Sequence, residues 1–346
     1  MLGAALRLRL RVLRRGRRRV RRSRGRVGAD EGAGREPVLL VSGMGGSVLH
    51  ARRRSNPKFD LRVWVRILFA NADFKKYLWA LYNADTGYVE PLDDDVEIVV
   101  PEDDHGLYAI DILDPSWFVE LLHLSMVYHF HDMIDMLINC GYEKGTTLFG
   151  YGYDFRQSNR IDKAMAGLRT KLETAYKTSG GKKVFKKYVN KWICIACPFQ
   201  GAPGCINDSL LTGLQFVYGF ESFFFVSRWA MHQLLVECPS IYEMLPNLNF
   251  NWKEKPIIQL TYNGKKVPLP FNMSVFQWAT ETRRILDNAE LPDTVSFYSI
   301  YGTSYDTPYD VWLVCYQCMK LSYGSKSSPI GDLSEVCHTV VLYPLA

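Results

Sequence analysis

The sequence has 346 residues, 47% of them hydrophobic and 23% charged. It is too long for a small disulfide scaffold, long enough for one large core or two modest domains, and too ordinary in composition for a disordered, collagen-like or coiled-coil chain. The net charge of +6 joins two unlike parts: residues 1–36 hold thirteen Arg against Asp30, Glu31 and Glu36, and residues 37–346 carry a small acidic excess.

Residues 1–36 read as a disordered Arg-rich tail in which Arg alternates with Leu, Val and Gly. Three readings stay open: an organelle transit peptide, although Ser23 is its lone serine; a polybasic patch for anionic lipid or nucleic acid; or a solvated extension. No aromatic residue is interleaved with the arginines, so base stacking is unsupported and nucleic acid is not an expected partner. The eight Cys lie singly or in close pairs, which suits reduced thiols in the cytoplasm better than a disulfide framework. No apolar run reaches the roughly 18 residues of a membrane-spanning helix.

Order begins at Pro37. The run Pro37-Val38-Leu39-Leu40-Val41 is apolar and β-branched, as a strand covered on both faces requires. Ser42-Gly43-Met44-Gly45-Gly46-Ser47 follows. These glycines let backbone N–H groups approach a ligand closely. The Lys of a phosphate loop and the dinucleotide spacing are both absent, leaving an oxyanion hole as the other use. Residues 51–90 are rich in aromatics, with Trp64, Phe69, Tyr77 and Trp79; this is where a lid would sit, or else a surface segment docking its aromatics on the core.

Helical spacing follows at Phe130, Met133, Ile134, Leu137 and Ile138, with Gly141 as its stop. Thr146–Tyr151 reads as a strand and Ile161–Tyr176 as a helix with apolar steps of 4, 3, 4 and 4. Trp192–Ala196, Ile257–Tyr262 and Val295–Tyr301 read as further strands. Strands alternating with helices predict an α/β class with a mainly parallel sheet.

His129 and His131 stand two positions apart, which on a helix points them to different faces. The pairs Cys194/Cys197 and Cys315/Cys318 have a zinc-like spacing but lie over a hundred residues apart, and Cys194 sits inside an apolar strand. No metal and no cofactor are expected. A serine hydrolase of α/β type needs Gly-x-Ser-x-Gly on a strand–turn–helix. Gly302-Thr303-Ser304-Tyr305-Asp306 comes nearest and closes on Asp; Ser47, in Gly45-Gly46-Ser47-Val48-Leu49, also fails.

The body nevertheless resembles the plant lecithin:cholesterol acyltransferase-like family, in particular its soluble phospholipase A1-like branch. The blocks that carry the resemblance are residues 37–47, 62–67 and 109–115, the stretch LFGYGYDFRQSNR at 148–160, WICIACPFQGAPG at 192–204, residues 225–242 and Tyr301-Gly302-Thr303. The resemblance implies an α/β-hydrolase core, a mainly parallel sheet with helices on both faces, over residues 37–346. It adds a lid near 51–90 and a cap-like segment near 205–290. It implies O-acyl transfer or phospholipase A1 hydrolysis of membrane glycerophospholipids through an acyl-enzyme, and a phospholipid or membrane surface as the partner. It maps the first oxyanion N–H onto the Gly43-Met44 step, with Met44 as the donor, and the lid tryptophan onto Trp64.

The chain departs from that family at the triad. A strand-plus-helix crossover takes about 30 residues, yet Lys182-Lys183-Val184 runs directly into Phe185-Lys186-Lys187, so the nucleophile elbow and its Ser have no match. Asp332 is not in the family's Gly-Asp-Gly-Thr-type turn and His338 has no matching context. The expected catalytic set is therefore empty. The alternative expectation is a catalytically inactive, truncated isoform or a mis-assembled gene model lacking the Ser, Asp and His of the triad.

Overall fold

The computed structural model describes residues 35–66, 70–117, 127–178, 188–202, 226, 228–247, 249, 258–262, 265–267, 272–301, 312–313 and 339–342. Residues 1–34 of the expected tail, the Val184–Phe185 junction, Cys315, Cys318, Asp332 and His338 lie outside them.

The β-branched run forms strand β1, Val38–Val41. The antiparallel sheet that follows is built from β2 (Leu49–Arg53), β3 (Asp60–Trp64) and β6 (Val96–Val99), in the order β3-β2-β6. Between them, helical turns at Ala70–Asp73 and Phe74–Leu78 precede a hairpin of β4 (Ala80–Tyr82) and β5 (Val89–Pro91). Helix α1, His131–Asn139, ends as its glycine predicts, with Gly141 at φ +87° and its N–H on the Ile138 carbonyl at 2.8 Å. Strand β7, Leu148–Tyr151, is buried at every position. It pairs in parallel with β1, Val38 opposite Leu148 through Val41 opposite Tyr151. A Cβ at Gly150 would stand 2.5 Å from the Gly106 carbonyl oxygen, so only glycine lets the turn at Asp104–Gly106 close on this strand.

Helix α2 spans Asp162–Thr178 and strand β8 Lys191–Ile195. Helices α3 (Arg228–Leu235) and α4 (Pro239–Glu243) follow, then β9 (Ile258–Tyr262) and β10 (Lys265–Val267). Helix α5, Met273–Asp287, is capped by Asn272, whose side chain accepts the N–H groups of Ser274 and Val275. Strand β11, Ser296–Ile300, pairs in parallel with β8; β12 (Trp312–Leu313) and β13 (Thr339–Leu342) join β9 and β10 in an antiparallel sheet.

Two buried clusters hold the molecule. The larger gathers Leu49, Val63, Trp64, Phe74, Leu78 and Val89 with Leu234, Leu235, Ile241 and Val275. Residues 51–90 thus give their aromatics to a packed core: Trp64, Phe74 and Tyr77 are all buried. These three aromatics dock on the core, as the second reading of that stretch has it. The smaller cluster sets Ile134 of α1 against Leu40, Leu107, Ile110 and Leu148.

The α/β class holds, but the parallel strands form two separate pairs, β1–β7 and β8–β11; among the described residues no strand joins them. Nor is the second pair covered on both faces as expected. Ile193, Ile195, Tyr298 and Ile300 are all at least half exposed, although parallel sheets are normally covered on both sides. At the start of the strands the Glu36 carboxylate accepts hydrogen bonds from Asn190 Nδ2 at 2.7 Å and Lys191 Nζ at 2.9 Å. The leading ends of β1 and β8 are therefore within side-chain reach while their backbones do not pair with each other.

Candidate functional site

The loop after β1 is the expected oxyanion element. Its bonds run from Gly46 N–H to the Gly43 carbonyl at 3.1 Å and from Ser42 N–H to the Tyr151 carbonyl at 3.2 Å. Among the described residues, the Met44 N–H takes no part in the loop's backbone hydrogen bonds. Gly43 is exposed, and a Cβ built on it would meet nothing within 4 Å. A main-chain donor left out of the loop's own hydrogen bonds is what an anionic oxygen needs. The Met44 side chain packs on the large cluster below.

Trp64 does not line that opening. It is 3% exposed, stacks on Phe155 at 5.0 Å between centroids, and donates its indole N–H to the Gly45 carbonyl at 2.8 Å. The aromatic expected to contact lipid thus pins the loop from beneath, where Gly45 turns at φ +73°. Trp64→Phe keeps an aromatic ring and removes the donor, leaving a part-buried carbonyl short of a partner. A loss of about 1–3 kcal/mol is expected, read as a lower urea midpoint with an unchanged slope.

Neither loop serine is presented as a nucleophile. Ser42 and Ser47 are buried and share a hydrogen bond of 2.6 Å, and Ser47 Oγ also accepts the Tyr153 N–H at 3.1 Å. His129 lies against Gly46, where an added Cβ would come within 2.5 Å of its Nε2. His131 has the orienting acid that sequence spacing could not show: its Nδ1 stands 2.7 Å from Asp111. Its Nε2, however, faces Asp135 at 3.8 Å. Carboxylates flank both ring nitrogens, so the pair anchors the first turn of α1 instead of activating a serine. Burial pushes the Cys194 thiol up to about 11, with Cys197 contributing, so it stays protonated near neutral pH and is no thiolate nucleophile.

The block 154–160 is scaffold. Arg156, 1% exposed, donates to both Asp154 oxygens at 2.9 and 2.6 Å and to the Leu78 carbonyl at 2.6 Å. The Gln157 side-chain amide meets Val89 N–H and C=O at 2.9 and 2.7 Å, as a strand neighbour would. Glu243 of α4 accepts from Ser158, from Asn159 N–H and Nδ2 at 3.1 Å, and from Thr282 of α5 at 3.1 Å. The Arg160 guanidinium lies 4.0 Å above the Trp278 ring. One short stretch thus fastens β5, α4 and α5 to the strand that ends beside the loop.

These placements can be set beside known proteins. A family model described as Lecithin:cholesterol acyltransferase matches residues 75–186, a stretch that ends just past the Val184–Phe185 junction. "Phospholipase A(1) LCAT3" of Arabidopsis thaliana is 56% identical over 373 aligned positions, covering 91% of this chain and 81% of that protein. "Lecithin-cholesterol acyltransferase-like 4" of the same plant is 39% identical over 360 positions, covering 87% of this chain and 65% of its own length. The first alignment is longer than the 346-residue chain, so that relative carries residues within the matched span that have no counterpart here. Identity of this degree over most of both proteins leaves one assignment: the chain belongs to the lecithin:cholesterol acyltransferase family.

Proposed function

We propose that the chain descends from a lipid O-acyltransferase or phospholipase A1 and that glycerophospholipid is the ligand for which its loop after β1 is shaped. The observation that carries this is the 56% identity, over 91% of the chain, to a protein named as a phospholipase A(1). The Met44 N–H, outside the loop's backbone hydrogen bonds among the described residues, supports it, because acyl transfer needs a donor where an oxyanion develops. No helix among the described residues is long and apolar enough to cross a membrane. Lipid would then be met at a membrane surface from the cytoplasm, with the Arg-rich tail leaving organelle targeting open.

A second reading concerns the polypeptide as it stands: it is catalytically inactive. In this family the elbow strand lies mid-sheet, and the separation of β1–β7 from β8–β11 is what the loss of such a strand would leave. The surplus of aligned positions in the relative points the same way. Loss of triad members costs several powers of ten in rate, even where the oxyanion donors and binding survive.

The second reading sets the expected result for the purified chain: no fatty acid released from phosphatidylcholine vesicles and no serine labelled by a fluorophosphonate. Release that stops on replacing a single serine would overturn it and establish turnover. Sequencing the transcript across codons 184–185 tests its cause, since a message that joins them directly excludes a mis-assembled gene model, and an exon carrying Gly-x-Ser-x-Gly between them would restore the enzyme.

A further inference from the structure

Strand β8 ends on Cys194 and Cys197, and the chain brings their thiols together. Three extended residues would hold the two Cα atoms about 10 Å apart, past the roughly 7 Å limit for a bridge. The strand stops at Ile195, and the chain bends at Ala196, whose φ of +52° is left-handed. A residue with a Cβ adopts that conformation at a cost of about 1–2 kcal/mol, and such outliers gather at functional sites. The Ala196 N–H on the Ile300 carbonyl, at 2.8 Å, fixes the bend. Cys197 is thereby turned back: its Sγ lies 3.9 Å from the Ile195 carbonyl, and its thiol hydrogen-bonds that of Cys194. Both thiols are free; Cys194 is 2% exposed, whereas Cys197 is open to solvent.

We propose that Cys194 and Cys197 form a redox dithiol, oxidised reversibly to an internal disulfide by a low-molecular-weight disulfide. Cys197, the accessible member, attacks one sulfur of the oxidant as its thiolate, and the other half of the oxidant leaves as a thiolate. Cys194 then gives up its proton and attacks the Cys197 sulfur of the mixed disulfide, expelling the second half. Two protein thiols are oxidised to one disulfide, one small disulfide is reduced to two thiols, and both protons end on those thiols. This chemistry needs neither a lipid nor a nucleophilic serine.

Position and ligand set favour this role over a metal. Glu36 joins the leading ends of β1 and β8. At the trailing ends Cys197 meets Tyr153: burial first, then Glu243, Tyr151 and Cys197, push the Tyr153 hydroxyl up to about 12. The Tyr153 N–H is in turn held by Ser47 Oγ of the loop after β1. The dithiol therefore lies toward the carboxyl ends of the strands, where α/β sheets place their reactive groups. A structural zinc takes four ligands, and among the described residues no three His, Cys, Asp or Glu side chains gather. Burial also denies Cys194 a stabilised thiolate, and a stabilised reduced form is what makes a pair hard to keep oxidised.

The full chain, equilibrated with oxidised and reduced glutathione, is quenched with iodoacetamide and cut with chymotrypsin. Cleavage after Trp192 and Phe199 releases residues 193–199, a peptide that holds both thiols and excludes Cys205. Under oxidising ratios most of this peptide should be lighter than the dithiol form by two hydrogen atoms and closed to alkylation, and dithiothreitol should restore both thiols. In the reduced protein Cys197 should alkylate at least about 10-fold faster than Cys194, because access sets the rate. Cys194→Ala removes the resolving thiol and should trap glutathione on Cys197. Cys197→Ala, at the exposed position, should abolish the disulfide with an unchanged far-ultraviolet spectrum. Cys140→Ser, at an exposed thiol outside the pair, should oxidise as the unaltered chain does. A peptide that keeps two free thiols at every ratio, a stable glutathione adduct on Cys197 of the unaltered chain, a bridge from Cys197 to Cys205, or zinc retained with both thiols protected would each overturn the proposal.

Discussion

Replacing Arg156 with Met should destabilise the protein by about 3–5 kcal/mol, the usual cost of breaking a buried ion pair by removing one partner. The guanidinium is 1% exposed and serves three acceptors at once. Burial alone would disfavour its charge, yet the Asp154 carboxylate beside it holds the guanidinium above even its ordinary range. Methionine fills a similar volume and offers no donor, so Asp154 and the Leu78 carbonyl lose their partners together. Arg156→Lys should recover only part of the loss, because one ammonium cannot reproduce a planar fork. Thermal unfolding reads the effect at about 2–4 °C per kcal/mol for a domain of this order of size. A loss below about 1 kcal/mol in the methionine variant would mean the cluster is solvated and the brace from residue 154 to residue 160 is not structural.

Arg156 also shows where sequence reading stops. A charged residue in a loop-like block is ordinarily exposed, and the sole hint of burial was an Asp two positions earlier, which gains meaning only when the chain turns back on itself. The strands at Val38–Val41, Leu148–Tyr151, Lys191–Ile195 and Ser296–Ile300 were legible because continuous apolar runs report burial on two faces. For β8 and β11 that inference described the sheet they were built for, and their exposure here is what composition could not reveal. The antiparallel sheet β3-β2-β6 escaped because its strands mix Arg, His and Asp with apolar positions. Trp64 illustrates the same limit: a tryptophan near a glycine loop reads equally as a lid or as core packing, and only the structure places its indole N–H on the Gly45 carbonyl. The His131–Asp111 pair spans 20 residues, a separation no local pattern encodes.

Filling the gap between β1 and β8 should stabilise the fold by an amount that is easy to measure. If a strand-and-helix unit taken from the Arabidopsis relative is inserted between Val184 and Phe185, the new strand can pair with β1 on one side and β8 on the other. Both edges lack a neighbour among the described residues. The helix of the same crossover can lie over Ile193, Ile195, Tyr298 and Ile300, as the right-handed connection of parallel strands requires. Each gain adds to the other, since a central strand without a covering helix would widen the bare face. A stabilisation of several kcal/mol is expected, which at about 2–4 °C per kcal/mol raises the unfolding midpoint by roughly 10 °C or more. Binding of a hydrophobic dye should fall in the same variant, because the apolar face is then covered within one chain. A scrambled insert of equal length and composition should do neither, which separates sheet completion from the mere addition of apolar residues. If the native insert leaves both the midpoint and dye binding where they were, the space between β1 and β8 is not a strand position, and the proposal that this chain has lost a nucleophile-bearing strand loses its structural basis.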